Sequence, residues 1–128
     1  MFIDSHCHLD RLDLSKHNDS LTELLNDARQ RGVSKMLCVG IDMNLYPAML
    51  EAIEGQPDVF ASVGIHPCHV EESPWNESQI RQAVADNQRV VALGETGLDF
   101  FYKTDTKEQQ IESFANHLKL GSELDLPV

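Results

Sequence analysis

The chain has 128 residues, a length that suits one domain, and 41% of them are hydrophobic, enough for a real core. Ten basic against 21 acidic residues leave a net charge of −11, which argues against a protein that grips nucleic acid through basic patches and suits one that binds cations. No apolar stretch reaches transmembrane length and no secretory leader is visible. The three cysteines (Cys7, Cys38 and Cys68) are odd in number and widely spaced, and read as reduced, packed thiols of a cytoplasmic protein.

Phe2-Ile3-Asp4-Ser5-His6-Cys7-His8 reads as a short, buried strand that ends in two histidines. Side chains alternate along a strand, so His6 and His8 share a face and can hold one divalent ion, while Cys7 points the other way. Asp4 and Asp10 lie close enough in sequence to orient the imidazoles. The plain alternative is an exposed histidine pair with no ion. A polar loop, Arg11 to Asn18, follows. Ser20 and Glu23 then offer a capping box for a helix with Leu21, Leu24, Leu25 and Ala28 on one face and Gly32 as its stop.

Lys35 to Ile41 is a second strand. Asp42 or Asn44 caps the next helix, with Pro47 near its start, Met49, Leu50, Ala52 and Ile53 as its apolar positions and Gly55 at its end. Val59 to Ile65 is a third strand that leads into His66-Pro67-Cys68-His69. After a polar loop from Glu71 to Asn76, Ile80, Ala83 and Val84 mark a short third helix. Arg89 to Gly94 is a fourth strand, followed by Glu95-Thr96-Gly97-Leu98-Asp99 and the aromatic loop Phe100-Phe101-Tyr102. Asp105 or Thr106 caps a fourth helix with Ile111, Phe114, Ala115 and Leu118 on its buried face. Leu124 to Val128 approaches a fifth strand.

Apolar strands alternating with amphipathic helices predict an α/β fold with a parallel sheet. The polar residues gather where strands end: His6 and His8 after the first, His66 after the third, Glu95 after the fourth. Chemistry at the carboxyl ends of parallel strands is the habit of (β/α)8 barrels, and no Gly-rich phosphate loop follows the first strand, which disfavours a dinucleotide-binding sheet. Glu95 is the natural partner of the histidine pair, since a carboxylate can bridge two ions; a surface or capping glutamate is the alternative. His66 either contacts a phosphate or a further metal, or merely closes a loop. His69 is expected to be exposed. Asp99 either orients a ligand or holds its loop, and Tyr102 and Phe101 either stack on a base or shape the cleft. His17 and His117 read as structural or solvent-facing.

Three segments (Asp4–Asp10, Gly64–Pro67 and Gly94–Asp99) resemble, in order, the signatures of the TatD family of metal-dependent deoxyribonucleases, which are amidohydrolase-like TIM barrels. The stretch from Gln110 to Leu124, with Leu126-Pro127-Val128 after it, resembles that family's fourth helix and its entry to strand five. The resemblance runs from Met1 to Val128. It implies a (β/α)8 fold of which residues 1–128 form the N-terminal half, about four βα units. It also implies hydrolysis of DNA phosphodiesters, often as a 3′–5′ exonuclease, with two divalent ions (Mg, Mn or Zn) and DNA, taken here as single-stranded, as substrate. Carried over by residue, His6 and His8 bind one metal, Glu95 bridges both and is catalytic, and His66 lies beside the substrate phosphate.

Gly121 stands where the family usually has alanine, which weakens the fourth helix. Such barrels draw further ligands from strands five, six and eight, and their typical size is about 250 residues. The sequence therefore reads as a partial record of a longer enzyme. A half-barrel without catalysis that keeps a partial metal site is one alternative. A related hydrolase of small esters or amides is another, although such barrels often carry a modified lysine on strand four, where this chain has Glu95. Nothing in the sequence names a protein partner.

Overall fold

The computed structural model describes residues 1–128. Four parallel strands, β1 (Phe2–Cys7), β2 (Val33–Cys38), β3 (Val59–Val63) and β4 (Val90–Leu93), form one sheet in the order β1-β2-β3-β4. Helices α1 (Leu21–Gln30), α2 (Tyr46–Ala52), α3 (Glu77–Asp86) and α4 (Lys107–Leu124) follow the strands in turn. Sequential parallel strands, each followed by a helix, are the arrangement of the first four units of a (β/α)8 barrel; a doubly wound sheet would reverse its strand order.

The helix starts follow from local hydrogen bonding. Ser20 Oγ accepts from the Glu23 N–H at 3.3 Å, but the Glu23 carboxylate turns to Asn18 Nδ2 at 2.7 Å, so only half of the capping box forms. Asp42, not Asn44, serves the start of α2: its Oδ1 accepts from the Leu45 N–H at 2.8 Å, while Asn44 donates to the Glu72 carbonyl. Asn76 caps α3 through the Gln79 N–H. The polar loop before α1 contains two short 3-10 turns, Leu9–Arg11 and Ser15–His17.

The core lies between the sheet and the helices, where Met36, Cys38, Val59, Ala61 and Val63 meet Leu25, Met49, Ile53 and Ile80. The opposite face of the sheet opens into a cleft of about 620 Å³ lined by Leu37, Val39, Ser62, Ala92, Phe114 and Leu118, among others.

Two expectations are corrected here. β1 is not buried: Phe2 and Ile3 are 68% and 62% exposed, because β1 is an edge strand paired only with β2. In α4 the apolar stripe is not the buried face. Ile111 and Leu118 are 53% and 48% exposed and Ala115 is exposed too, whereas Gln110, Ser113, His117, Leu120 and Gly121 are buried. Gln110 and His117 turn inward because they are hydrogen-bonded there, which removes most of the cost of burying them, whereas the buried Ser113 hydroxyl has no protein partner. Gln110 Oε1 accepts from the Asp99 N–H at 2.7 Å, and its amide reaches the Lys103 carbonyl and Thr106 Oγ1, each at 2.9 Å. Gly121 is likewise more than a weak point in the helix. A Cβ there would run into the Val128 side chain and the Leu126 carbonyl, so glycine lets the chain fold back across α4. The Leu93 N–H then donates to the Pro127 carbonyl at 2.9 Å, and the chain starts to pair beside β4 as expected for a fifth strand.

Candidate metal centre

His6 and His8 leave the end of β1, and Glu95 leaves the end of β4. One ligand atom from each lies within 4.8 Å of the others. His6 Nε2 and His8 Nε2 stand 3.4 and 3.6 Å from Glu95 Oε2, and His66 Nε2 stands 3.7 Å from Glu95 Oε1. The carboxylate thus turns one oxygen to the histidine pair and the other to His66. His8 Nδ1 donates to the Val39 carbonyl at 3.0 Å, which fixes its tautomer and leaves the Nε2 lone pair free for an ion. The expected orienting carboxylates do not do this work. Asp4 accepts from the backbone N–H of His6, and Asp10 lies beside Arg11 and the Cys38 thiol. Cys7 points away as expected, donating to the Leu37 carbonyl, and burial pushes its thiol up to about 12.

Glu95 is positioned by the strand ends beneath it. Its N–H donates to the Gly40 carbonyl at 2.6 Å, the Gly94 N–H to Val63 at 2.9 Å, and the His66 N–H to Ile41 at 2.8 Å. Buried Ser62 bridges these ends: Oγ accepts from the Gly40 N–H at 3.3 Å and donates to the Gly94 carbonyl at 2.7 Å. Gly64 passes so close to β4 that a Cβ on it would sit 2.6 Å from Gly94 Cα. Behind them, His117 Nε2 accepts from the Ile65 N–H at 3.1 Å while its Nδ1 donates to the Ser113 carbonyl at 2.7 Å, with Thr96 Oγ1 3.1 Å away. Burial holds this ring below the usual histidine range, against the opposing hydrogen bond to Ser113. The sequence reading missed Ser62 and Thr96, and left His117 without a partner. A lone serine inside an apolar strand, and histidine four residues after serine in a helix, were the available signals.

The remaining candidates separate. His66 Nδ1 accepts from the Cys68 N–H at 3.1 Å, so its proton sits on Nε2 and faces Glu95. Burial lowers its pKa, with Glu95 opposing. His69 is not exposed as expected: it is half-buried, with Nδ1 2.8 Å from Oδ2 of buried Asp42. Asp99 holds its loop, accepting from the Tyr102 and Phe101 N–H groups at 2.8 and 3.0 Å; these bonds keep its carboxyl below the usual range. Tyr102 and Phe101 are exposed and pack edge-to-face on each other. Two imidazole nitrogens and a carboxylate form a donor set that suits zinc or manganese, or magnesium with more water.

Residues 3–128 match the protein-family model described as TatD related DNase. Over 126 residues the chain is 38% identical to the Escherichia coli K12 protein named uncharacterized metal-dependent hydrolase YcfH, covering 98% of this chain and 47% of that one. Over 107 residues it is 34% identical to the Erwinia tasmaniensis protein named 3'-5' ssDNA/RNA exonuclease TatD, covering 83% and 41%. Among solved structures, that of YjjV, a TatD homologue from E. coli K12, superimposes with a TM-score of 0.84 at 33% identity, over 99% of this chain and 49% of its own. The chain therefore spans about half the length of the curated relatives it matches, and its four strands correspond to part of a TIM barrel. No helix is long and apolar enough to cross a membrane.

Proposed function

The chain belongs to the family described as TatD related DNase, and from that premise we propose that it carries the metal-binding half of a barrel hydrolase that cleaves DNA phosphodiesters. The observation that carries this reading is the meeting of His6, His8 and Glu95, from the first and fourth strand ends, within 4.8 Å. The exonuclease name borne by the Erwinia relative supports nucleic acid as the substrate class, and we take single-stranded DNA as the first substrate to try. Residues 1–128 are then the N-terminal half of one barrel domain. Three free thiols suit the reducing cytoplasm.

In this reading His6, His8 and Glu95 are the residues that would hold the divalent ions. Bound ions of this kind acidify water and offset the charge on phosphate oxygens. That matters in a chain of net charge −11, which lacks the basic surface to hold DNA by itself. The Val39 carbonyl keeps His8 in the tautomer that ligation needs. His66 presents Nε2–H beside Glu95, placed to donate to a phosphate oxygen. Asp99 shapes the loop on which Tyr102 offers a face for a base to stack on.

The test is labelled single-stranded DNA incubated with protein carrying this chain, with Mg²⁺ or Mn²⁺ and with EDTA, beside the Glu95→Ala variant. Calorimetric titration with Mn²⁺ runs in parallel. Cleavage that needs the ion and disappears in the variant, together with lost Mn²⁺ binding, is the expected result. Cleavage that survives EDTA, or a variant that binds and cleaves like the wild type, would remove the reading.

A further inference from the structure

We infer that Arg11 is the phosphate-gripping residue of this site, its guanidinium binding oxygens of the phosphodiester that the metal centre engages. The inference rests on the phosphodiester reading above and adds a residue to it. Arg11 closes the 3-10 turn Leu9–Arg11, which starts directly after His8, and its N–H donates to the His8 carbonyl at 3.1 Å. Such a turn brings residue i+3 back over residue i, and buried Leu9 anchors it to the core. Arg11 accordingly lines one cleft, of about 230 Å³, with His8, His66 and Glu95. That is space for about eight waters at liquid density, the scale of a phosphate group with a few waters rather than of a whole strand.

No other arginine or lysine lines that cleft. A guanidinium keeps its charge throughout the working pH range and has donors but no acceptor, so its role does not turn on a protonation state. Its ion pair with Asp10 engages Nε alone, at 3.4 Å, and the Arg11 side chain keeps 43% of its surface open. The two terminal nitrogens, the fork that fits two phosphate oxygens, have no protein partner. Arg29 and Arg81, by contrast, spend terminal nitrogens on Asp58 and Glu123. A permanent cation beside residues that gather divalent cations is unfavourable by itself. An anion in the cleft reverses the sign, because it attracts the guanidinium and the ions alike. The charged linkage of a nucleic acid is such an anion, and Arg11 gives it a local attraction in a chain whose net charge is −11.

The experiment measures binding of two thymidine dinucleotides by calorimetry, with Mg²⁺ present and at one ionic strength. One has a phosphorothioate linkage, which is charged and slow to hydrolyse. The other has a methylphosphonate linkage, similar in shape but uncharged. Protein carrying this chain is compared with its Arg11→Gln and Arg11→Lys variants, each checked for folding by circular dichroism and each also titrated with Mn²⁺ alone. The wild type is expected to bind the charged ligand the more tightly, by about tenfold or more. Arg11→Gln should weaken the charged ligand about tenfold, the worth of one charge-assisted hydrogen bond, and leave the neutral one within about twofold. Arg11→Lys keeps the charge but loses the fork, and should fall between the two. Without nucleotide, Arg11→Gln should bind Mn²⁺ as tightly as the wild type or up to about threefold tighter, because a repelling charge is gone. A wild type with no preference for the charged linkage, an Arg11→Gln variant that keeps the full preference, or one that loses Mn²⁺ affinity would overturn the inference; the last would make Arg11 a prop for His8. Because the readout is binding, its failure is separate from failure of the cleavage assay, which tests the phosphodiester reading itself.

Discussion

Ser62 shows how one hydroxyl can govern a site it never touches. It sits in a strand of apolar neighbours, yet both of its hydrogen-bonding roles are spent on Gly40 and Gly94, which flank the Glu95 anchor. Ser62→Ala leaves a buried N–H and a buried carbonyl unpaired and should cost about 1–3 kcal/mol, read by urea unfolding. It should also weaken Mn²⁺ binding, because Glu95 hangs from Gly94. His117 carries a second residue-scale expectation. Burial lowers its folded pKa from the ordinary 6.5, so the unfolded chain binds more protons below that value. Stability is then full above about pH 6.5 and is lost as the pH falls from there through the folded value. His66 shifts in the same direction and adds to the loss. Urea midpoints at pH 8 and pH 5 should therefore differ, and His117→Gln should narrow the gap while His66→Gln leaves part of it. The ligand residues were legible because strand alternation and position after apolar runs depend on side chains alone. The partner of His8 was not, since a main-chain carbonyl carries no letter of its own. Nor was the failure of Asp4 to reach a ring, since β1 shifts register against β2 between Asp4 and Cys7.

At the scale of elements, what assembles the centre is the closeness of the strand ends. The four strands were readable from their apolar runs, but β2, β3 and β4 stop one to three residues before the runs do, at Cys38, Val63 and Leu93. The remaining residues turn across the sheet top, where glycine is required. Gly64→Ala would place a Cβ 2.6 Å from the Gly94 backbone, with no flexible side chain to give way. Backbone must move, and the expected cost is about 3 kcal/mol, measured by thermal or urea unfolding, with loss of Mn²⁺ affinity as Glu95 moves with Gly94. A wild-type-like midpoint would show that β3 and β4 can separate freely. Helix α4 shows why a hydrophobic stripe alone misleads. Ile111, Ala115 and Leu118 follow helical spacing well, but Gln110 and His117 win the inner face because loop and strand ends there offer them partners, and Ser113 is buried with them although its hydroxyl has no protein partner. Periodicity records where apolar residues lie and not which face has unmet hydrogen bonds to satisfy.

At the largest scale, two opposing features decide how residues 1–128, taken by themselves, behave in water. The outer edge of β1 has no strand beside it, and Phe2, Ile3, Ile111 and Leu118 are exposed, an arrangement that invites edge pairing and apolar association. Against this stands a net charge of −11, which keeps copies apart while the solution is dilute in salt. The balance has a sign that can be measured. At 0.01 M salt the Debye length is about 30 Å and repulsion extends across the molecule; at 0.15 M it is about 8 Å and repulsion is confined to contact. Apolar burial is unaffected by that change, so association should strengthen as salt rises. Sedimentation velocity over a range of protein concentration should show mainly monomer at low salt and growing oligomer at moderate salt. Ile3→Lys adds a charge at the open edge and Ile111→Glu adds one on the α4 stripe, and each should move the equilibrium back toward monomer at moderate salt. If association instead weakened with salt, ion pairs between copies would be the driving force, and the open edge of β1 would not be what brings them together.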